Sequence, residues 1–253
     1  MAVPTRDRAA ALDAFVAGGA GSLLWMNSHP RLAFADTPNG GATRGDFGIG
    51  LECPTRAEAG VVVFDVDSFV SECRASLGER RPQLAIRELV ERAVAAPGAI
   101  DDAIGGPTKG GFQTLHRSPE LTVLQFVWPP AVVLFPHDHR MWAAIGIYGG
   151  GEDNTFYRRV PDRIEVSGGK RLEAGDVALL GTETIHSVSN PHRQYTAAIH
   201  VYGGDYFGTP RSQWDSSGNE EPFDVEAVRR TLAEADARAA EADGRSESGS
   251  VAP

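Results

Sequence analysis

The chain has 253 residues, 34 Asp plus Glu against 24 Lys plus Arg for a formal net charge of −10, and only 2 Cys. That length fits one large domain or a medium one with appendages, and the acidic balance argues against a phosphate-tracking nucleic-acid binder or a polybasic membrane-surface protein. Two cysteines are too few for a disulfide scaffold, no apolar run approaches the roughly 20 residues of a membrane span, and the first ten residues lack a signal core, so a cytoplasmic protein is expected.

Residues 1–60 are rich in Gly, Ala, Pro, Asn and Thr and read as a loosely ordered extension. A helical pair follows. Asp65 or Asp67 can cap a helix with Phe69, Cys73 and Leu77 on one stripe, and Pro82 opens a second with Ile86, Leu89, Val90, Ala93 and Val94 inward, ended by Pro97-Gly98. Cys73 on that stripe reads as a small core residue.

From Leu121 to Tyr202 the period changes to two. Short runs at Leu121–Val127, Ala131–Phe135, Met141–Tyr148, Asn154–Val160, Arg163–Ser167, Asp176–Leu180, His186–Ser189 and Tyr195–Tyr202 are separated by turn material, including Gly149–Gly151 and Gly168-Gly169. About eight strands at this spacing predict a mainly β sandwich, barrel or jelly roll. A last helix is expected after Asp224 with Val225, Val228 and Leu232 inward, continuing as an acidic end. The expected domains are thus the extension 1–60, a helical cap plus β-domain over 61–232, and an acidic helix end with disordered tail over 233–253.

Chemistry concentrates in two places. His137-Asp138-His139 ends an apolar strand, and in extended backbone residues i and i+2 share a face, so both imidazoles can reach one ion. His186 is delivered after a turn, the buried run Val177–Leu180 and a second turn. Three imidazoles suit Zn, Cu, Fe or Ni and leave positions open for further ligands.

These two segments resemble the two motifs of the cupin superfamily, the second with its Gly, hydrophobic strand, Ile-His and downstream Asn190. The resemblance spans Leu121 to Tyr202 and implies a cupin double-stranded β-helix (jelly roll), here with N-terminal helices and a C-terminal helix. Where cupins place a metal-binding Glu, four or five residues after the second His, this chain has Ala143 and Ala144. Glu152 comes thirteen residues later, where its expected role is pairing with Arg158 or Arg159 across a hairpin.

A three-His set without carboxylate resembles the cysteine dioxygenase-like thiol dioxygenases, and so do three other features. Trp128 stands nine residues before His137, Ala198-Ile199-His200-Val201-Tyr202 is similar to that branch's Ser-x-His-x-Tyr with Ala for Ser, and the helical pair looks like its N-terminal helices. The resemblance implies Fe(II) on His137, His139 and His186, and His200 and Tyr202 as catalytic partners of substrate or oxygen. The carboxylate-holding Arg of cysteine dioxygenases proper is missing near Gly110-Gly111. Arg211 and Gln113 match instead the substrate-binding positions of the 3-mercaptopropionate dioxygenase branch, Trp142 is assigned to the substrate wall, and Ala144 stands where a crosslinking Cys would be. His116 can rim the pocket.

The expected function is oxidation of a small thiol, in one form a thiol carboxylate, to the sulfinate with O2; the expected partners are that small molecule and O2, with no nucleic acid or membrane. Two alternatives stay open: a three-His cupin oxygenase or isomerase acting on a non-thiol, and a non-catalytic ligand-binding cupin.

Overall fold

The structure, a computed structural model, describes residues 63–248. The expected extension over 1–60 and the last residues, 249–253, lie outside the described residues.

Three helices come first. In α1 (Val66–Ser76) the Asp65 carboxylate accepts from the Ser68 amide at 2.8 Å, capping an end that would otherwise leave amides unpaired. In α2 (Pro82–Val94) the buried stripe is Ile86, Val90 and Val94, four residues apart. Pro97 was expected to end this pair, but it opens α3 (Pro97–Ile104) instead: a proline at the first helical position loses only an amide that has no intrahelical acceptor.

Eleven strands follow among the described residues: β1 (Gly111–Arg117), β2 (Thr122–Trp128), β3 (Val133–Asp138), β4 (Ala143–Gly149), β5 (Gly151–Val160), β6 (Arg163–Glu173), β7 (Val177–Leu180), β8 (Ile185–Ser189), β9 (Thr196–Tyr202), β10 (Ser212–Trp214) and β11 (Glu220–Pro222). β2 pairs with β9, β3 with β8, β4 with β7 and β5 with β6, all antiparallel. This nesting is one long hairpin with its tip at β5–β6. Rolled up, its successive pairs alternate between two sheets, β1-β2-β9-β4-β7 and β11-β10-β3-β8-β5-β6. The mainly β expectation holds, and the double-stranded β-helix (jelly roll) is the fold.

β1 was missed because its half-buried residues alternate weakly, and β10 and β11 because each is three residues long. The Gly168-Gly169 pair, expected to be a turn, continues β6: these residues pair with Phe156 and Thr155, since the ten-residue β5 offers backbone partners well beyond them. Gly150 does turn the chain, at φ 69°, where residues other than glycine are strained. The C-terminal helix α4 (Val225–Ser248) runs unbroken through 232 and through the start of the expected tail, with Val228, Leu232 and Ala235 buried. No described helix is long and apolar enough to cross a membrane.

Parity sorts the first sheet into two faces. Leu124, Phe126 and Trp128 of β2, Ala143, Ile145 and Ile147 of β4, and Ala198 and Tyr202 of β9 line the interior between the sheets. Val123, Ala144, Ile199 and Val201 face outward and are covered by Phe69, Cys73, Ile86, Val90, Val94 and Ile100 of the helices. Helix α2 lies directly on β4: a Cβ at Gly146 would stand 2.4 Å from a Val90 methyl and 2.8 Å from one of Val94. The Cys73 thiol is buried in this layer, and burial pushes it up to about 12, which suits the inert core role expected of it.

Candidate metal centre

The interior face of the second sheet carries the histidines. β3 and β8 pair so that His137 and His186 are direct Cα partners, and His139 follows two residues on from His137. All three are buried, with one ligand atom of each within 4.8 Å of the others, forming a group that can hold a metal ion. The Nε2 atoms of His139 and His186 are 3.0 Å apart. Two nitrogens bound at about 2.1 Å and at right angles around one ion stand about 3 Å apart, so the spacing fits shared coordination.

Tautomers fit as well. His137 Nδ1 lies 3.1 Å from the Phe135 carbonyl and His186 Nδ1 lies 2.8 Å from Asn154 Oδ1; both acceptors call for N–H there and leave Nε2 with its lone pair. Burial holds all three imidazoles below their ordinary range, His137 at about 4 and the other two well down, with neighbouring imidazoles and Arg211 adding to the effect. Neutral imidazole is the form that ligates.

Asp138, between His137 and His139, points the other way. Its carboxylate meets Arg140 Nε at 2.9 Å and Arg159 Nη2 at 3.3 Å, and accepts from the Ser212 amide at 2.8 Å. It therefore ties β3 to β10, directly after Arg211.

Arg211, which follows Thr209-Pro210 just before β10, is buried. Its guanidinium is sandwiched between Tyr206 (4.1 Å to the ring centroid) and Phe223 (3.8 Å). Nη1 donates to the Tyr206 carbonyl, while Nε and Nη2 have no partner among the described residues. Its charge is felt at His137, His139 and Tyr202. Arg211 and Phe223 also line a pocket of about 200 Å³.

His200 and Tyr202 lie side by side on β9, Nδ1 to hydroxyl 2.9 Å, facing the interior. Burial keeps the phenol well above its usual range and takes His200 down to about 3, so both are neutral. His200 Nε2 has no partner among the described residues. The Tyr202 ring lies tilted, 5.0 Å from His139, and Tyr206, which sequence reading missed, lies 4.7 Å from Tyr202.

Two expected substrate residues are elsewhere. Gln113 is exposed and pairs with Gln125, whose amide bonds Tyr148 and the Gly105 carbonyl on the helical side, so Gln113 sits on the outer face. Trp142 packs with the helical layer against Gly203. In both cases one step of parity sends the side chain to the wrong face. The same parity makes Ala143, not Ala144, the residue opposite Tyr202. Asn190, the second motif's downstream Asn, locks a turn: its amide donates to the carbonyls of Trp128, Pro129 and Gln194.

Glu152 corrects another expectation. It pairs with neither arginine, which bond Glu165 and Glu220 instead; it is fully buried and accepts from Asn154 Nδ2 at 2.9 Å. It is not a member of the metal-holding group. The visible signal was the alternation Glu152-x-Asn154-x-Phe156, three residues on one face of β5.

No family profile matches the chain. Solved structures similar to it include an uncharacterized conserved protein with a double-stranded β-helix domain from Klebsiella pneumoniae (12% identity, TM-score 0.32, 47% of this chain and 88% of that one). A cupin family protein from Methanocaldococcus jannaschii matches with 12% identity and TM-score 0.34 over 41% of this chain and 87% of that one. An oxalate decarboxylase variant from Bacillus subtilis matches with 16% identity and TM-score 0.33 over 40% and 27%. The fold itself rests on the nested strand pairing, and the class it defines with the histidine group is a jelly-roll protein with a site able to hold a metal.

Proposed function

We propose that the protein is a non-haem iron(II) dioxygenase that oxidises a small thiol bearing a carboxylate to its sulfinate, RSH + O2 → RSO2H. The observation that carries this reading is a group of three neutral imidazoles with no carboxylate among them, beside a buried guanidinium whose Nε and Nη2 have no partner among the described residues. Iron(II), if bound, would be held by His137, His139 and His186 and would supply a Lewis acid for a thiolate and a redox partner for dioxygen, the four electrons of the reaction coming from the thiol sulfur.

The protein's own groups do the rest. Arg211 offers Nε and Nη2 as a planar fork for a carboxylate, and the Tyr206 and Phe223 rings fix that plane. The paired His200 and Tyr202 share a hydrogen bond between Nδ1 and the hydroxyl, which leaves His200 Nε2, without a partner among the described residues, to meet substrate or oxygen in the interior. Phe126, Trp128, Tyr202 and Tyr206 keep water out.

The test is iron content with oxygen uptake on 3-mercaptopropionate, cysteine and cysteamine, beside diketones and enediols. Iron-dependent uptake with a thiol carboxylate supports the reading. Uptake confined to the non-thiols, or no response to any thiol, defeats it.

A further inference from the structure

We propose that Glu152 is a positioning residue for His186: acting through Asn154, it selects the tautomer in which Nδ1 carries the proton and Nε2 faces the other histidines.

The logic lies in the two ends of one amide. Asn154 bridges Glu152 Oε1, 2.9 Å from Nδ2, and His186 Nδ1, 2.8 Å from Oδ1. A carboxylate oxygen only accepts, so it takes the amide's NH2 end. The carbonyl end is then left for the imidazole, and a carbonyl also only accepts, so His186 must present N–H at Nδ1. A neutral imidazole has one such hydrogen. Nε2 therefore carries a lone pair, and it points at His139 Nε2, 3.0 Å away. Turning the amide over would set Oδ1 against Oε1 at hydrogen-bond distance and put the His186 proton on Nε2, inside the cluster.

The surroundings of Glu152 support an acceptor. The indole N–H of Trp128 lies near the same carboxyl, short of hydrogen-bond geometry, and Oε2 has no partner among the described residues. The neighbours that face it are donors. Burial pushes this carboxyl up to about 7, so it is ionised above neutral pH. His137 reaches the same tautomer more simply, through the Phe135 carbonyl, whereas His139 Nδ1 has no partner among the described residues. Only His186 depends on a side chain that is free to turn over, so it is the ligand that needs a second residue to orient its partner.

The inference rests on the reading of the three histidines as a metal site, and its experiment separates the two. Nitrogen-15 NMR of the imidazoles in the metal-free full chain at pH 8 reads the His186 tautomer directly. Iron(II) and zinc titrations read affinity. Wild type should show Nδ1–H. Glu152→Gln is isosteric, but its amide meets Asn154 with either end, so a mixture of tautomers and a loss of metal affinity of about tenfold or more are expected. The exchange E152Q with N154D puts an acceptor-only carboxylate beside His186 and should restore both readings. A Glu152→Gln protein that keeps His186 wholly Nδ1–H overturns the proposal, as does an exchanged protein that shows no recovery while its circular dichroism is native. If the tautomers behave as expected and wild type binds no metal, the metal-site reading fails and the relay stands.

Discussion

His137 and His186 face each other as register partners on β3 and β8, with ring centroids 4.6 Å apart. Because the pairing of two central strands sets their separation, neither imidazole depends on a loop for its position. His137→Ala or His186→Ala should therefore take bound metal from about one ion per chain to background while leaving the β-sheet circular dichroism unchanged. Elemental analysis decides: metal retained at wild-type level in either variant removes the three-histidine group from consideration as the site.

Arg211 gives a prediction that distinguishes substrates. Its Nε and Nη2 lack partners among the described residues, so its removal should be felt only by ligands with an anion to place there. Arg211→Lys should lower kcat/KM on 3-mercaptopropionate by about 10- to 100-fold, the worth of a charged hydrogen bond or two, and change cysteamine, which has no carboxylate, by much less. Gln113→Ala should leave both rates near wild type, because that side chain is on the outer face. Equal losses on both thiols for the Arg211 variant would show that the guanidinium serves folding rather than recognition.

Much of the fold and the histidine group could be read from the sequence because the signals were local. His137 and His139 share a face by the two-residue period of a strand, and the alternating runs from Leu121 onward marked most of the strands. What stayed hidden depended on partners distant in sequence. Which face Gln113 or Trp142 occupies is fixed by strand register, and a bulge between Thr114 and His116 shifts the phase within β1 itself. Glu152 and Asn154 are separated from His186 by more than thirty residues, and only the β5–β8 pairing brings them together. The burial of Arg211 has no local pattern to mark it, because it comes from Tyr206 and Phe223, on either side of it in the chain.

Asp138 can be tested as the tie between ligand and substrate elements. Its buried carboxylate takes the Ser212 amide and two arginines that are themselves more than a third exposed, so the amide bond carries more of its structural value than the ion pairs do. Asp138→Ala, which removes the acceptor, should cost about 1–3 kcal/mol in denaturant unfolding and raise KM for the carboxylate substrate, through the displaced Arg211, more than it lowers kcat. A variant with normal stability and normal KM would show that β10 holds its place without this contact.

The interior histidines also set how the metal-free protein responds to acid. His137, His139, His186 and His200 all have folded values below the ordinary imidazole value of about 6.5, chiefly from burial. A lowered folded value means that the unfolded chain binds more protons below pH 6.5, so this contribution is complete above 6.5 and is lost as pH falls toward about 4. Glu152 acts in the opposite sense. Raised to about 7, it is protonated in the folded chain where it is ionised in the unfolded one, so its contribution is present below the usual carboxylate value and lost as pH rises through 7. Four imidazoles outweigh one carboxyl between pH 6.5 and 4, so the urea midpoint of the metal-free protein should drop steeply from pH 7 to pH 5. Bound metal, which must be displaced before its ligands take up protons, should shift that drop to lower pH. Urea midpoints that match at pH 7 and 5 in the metal-free chain would mean that these imidazoles are not held neutral by burial.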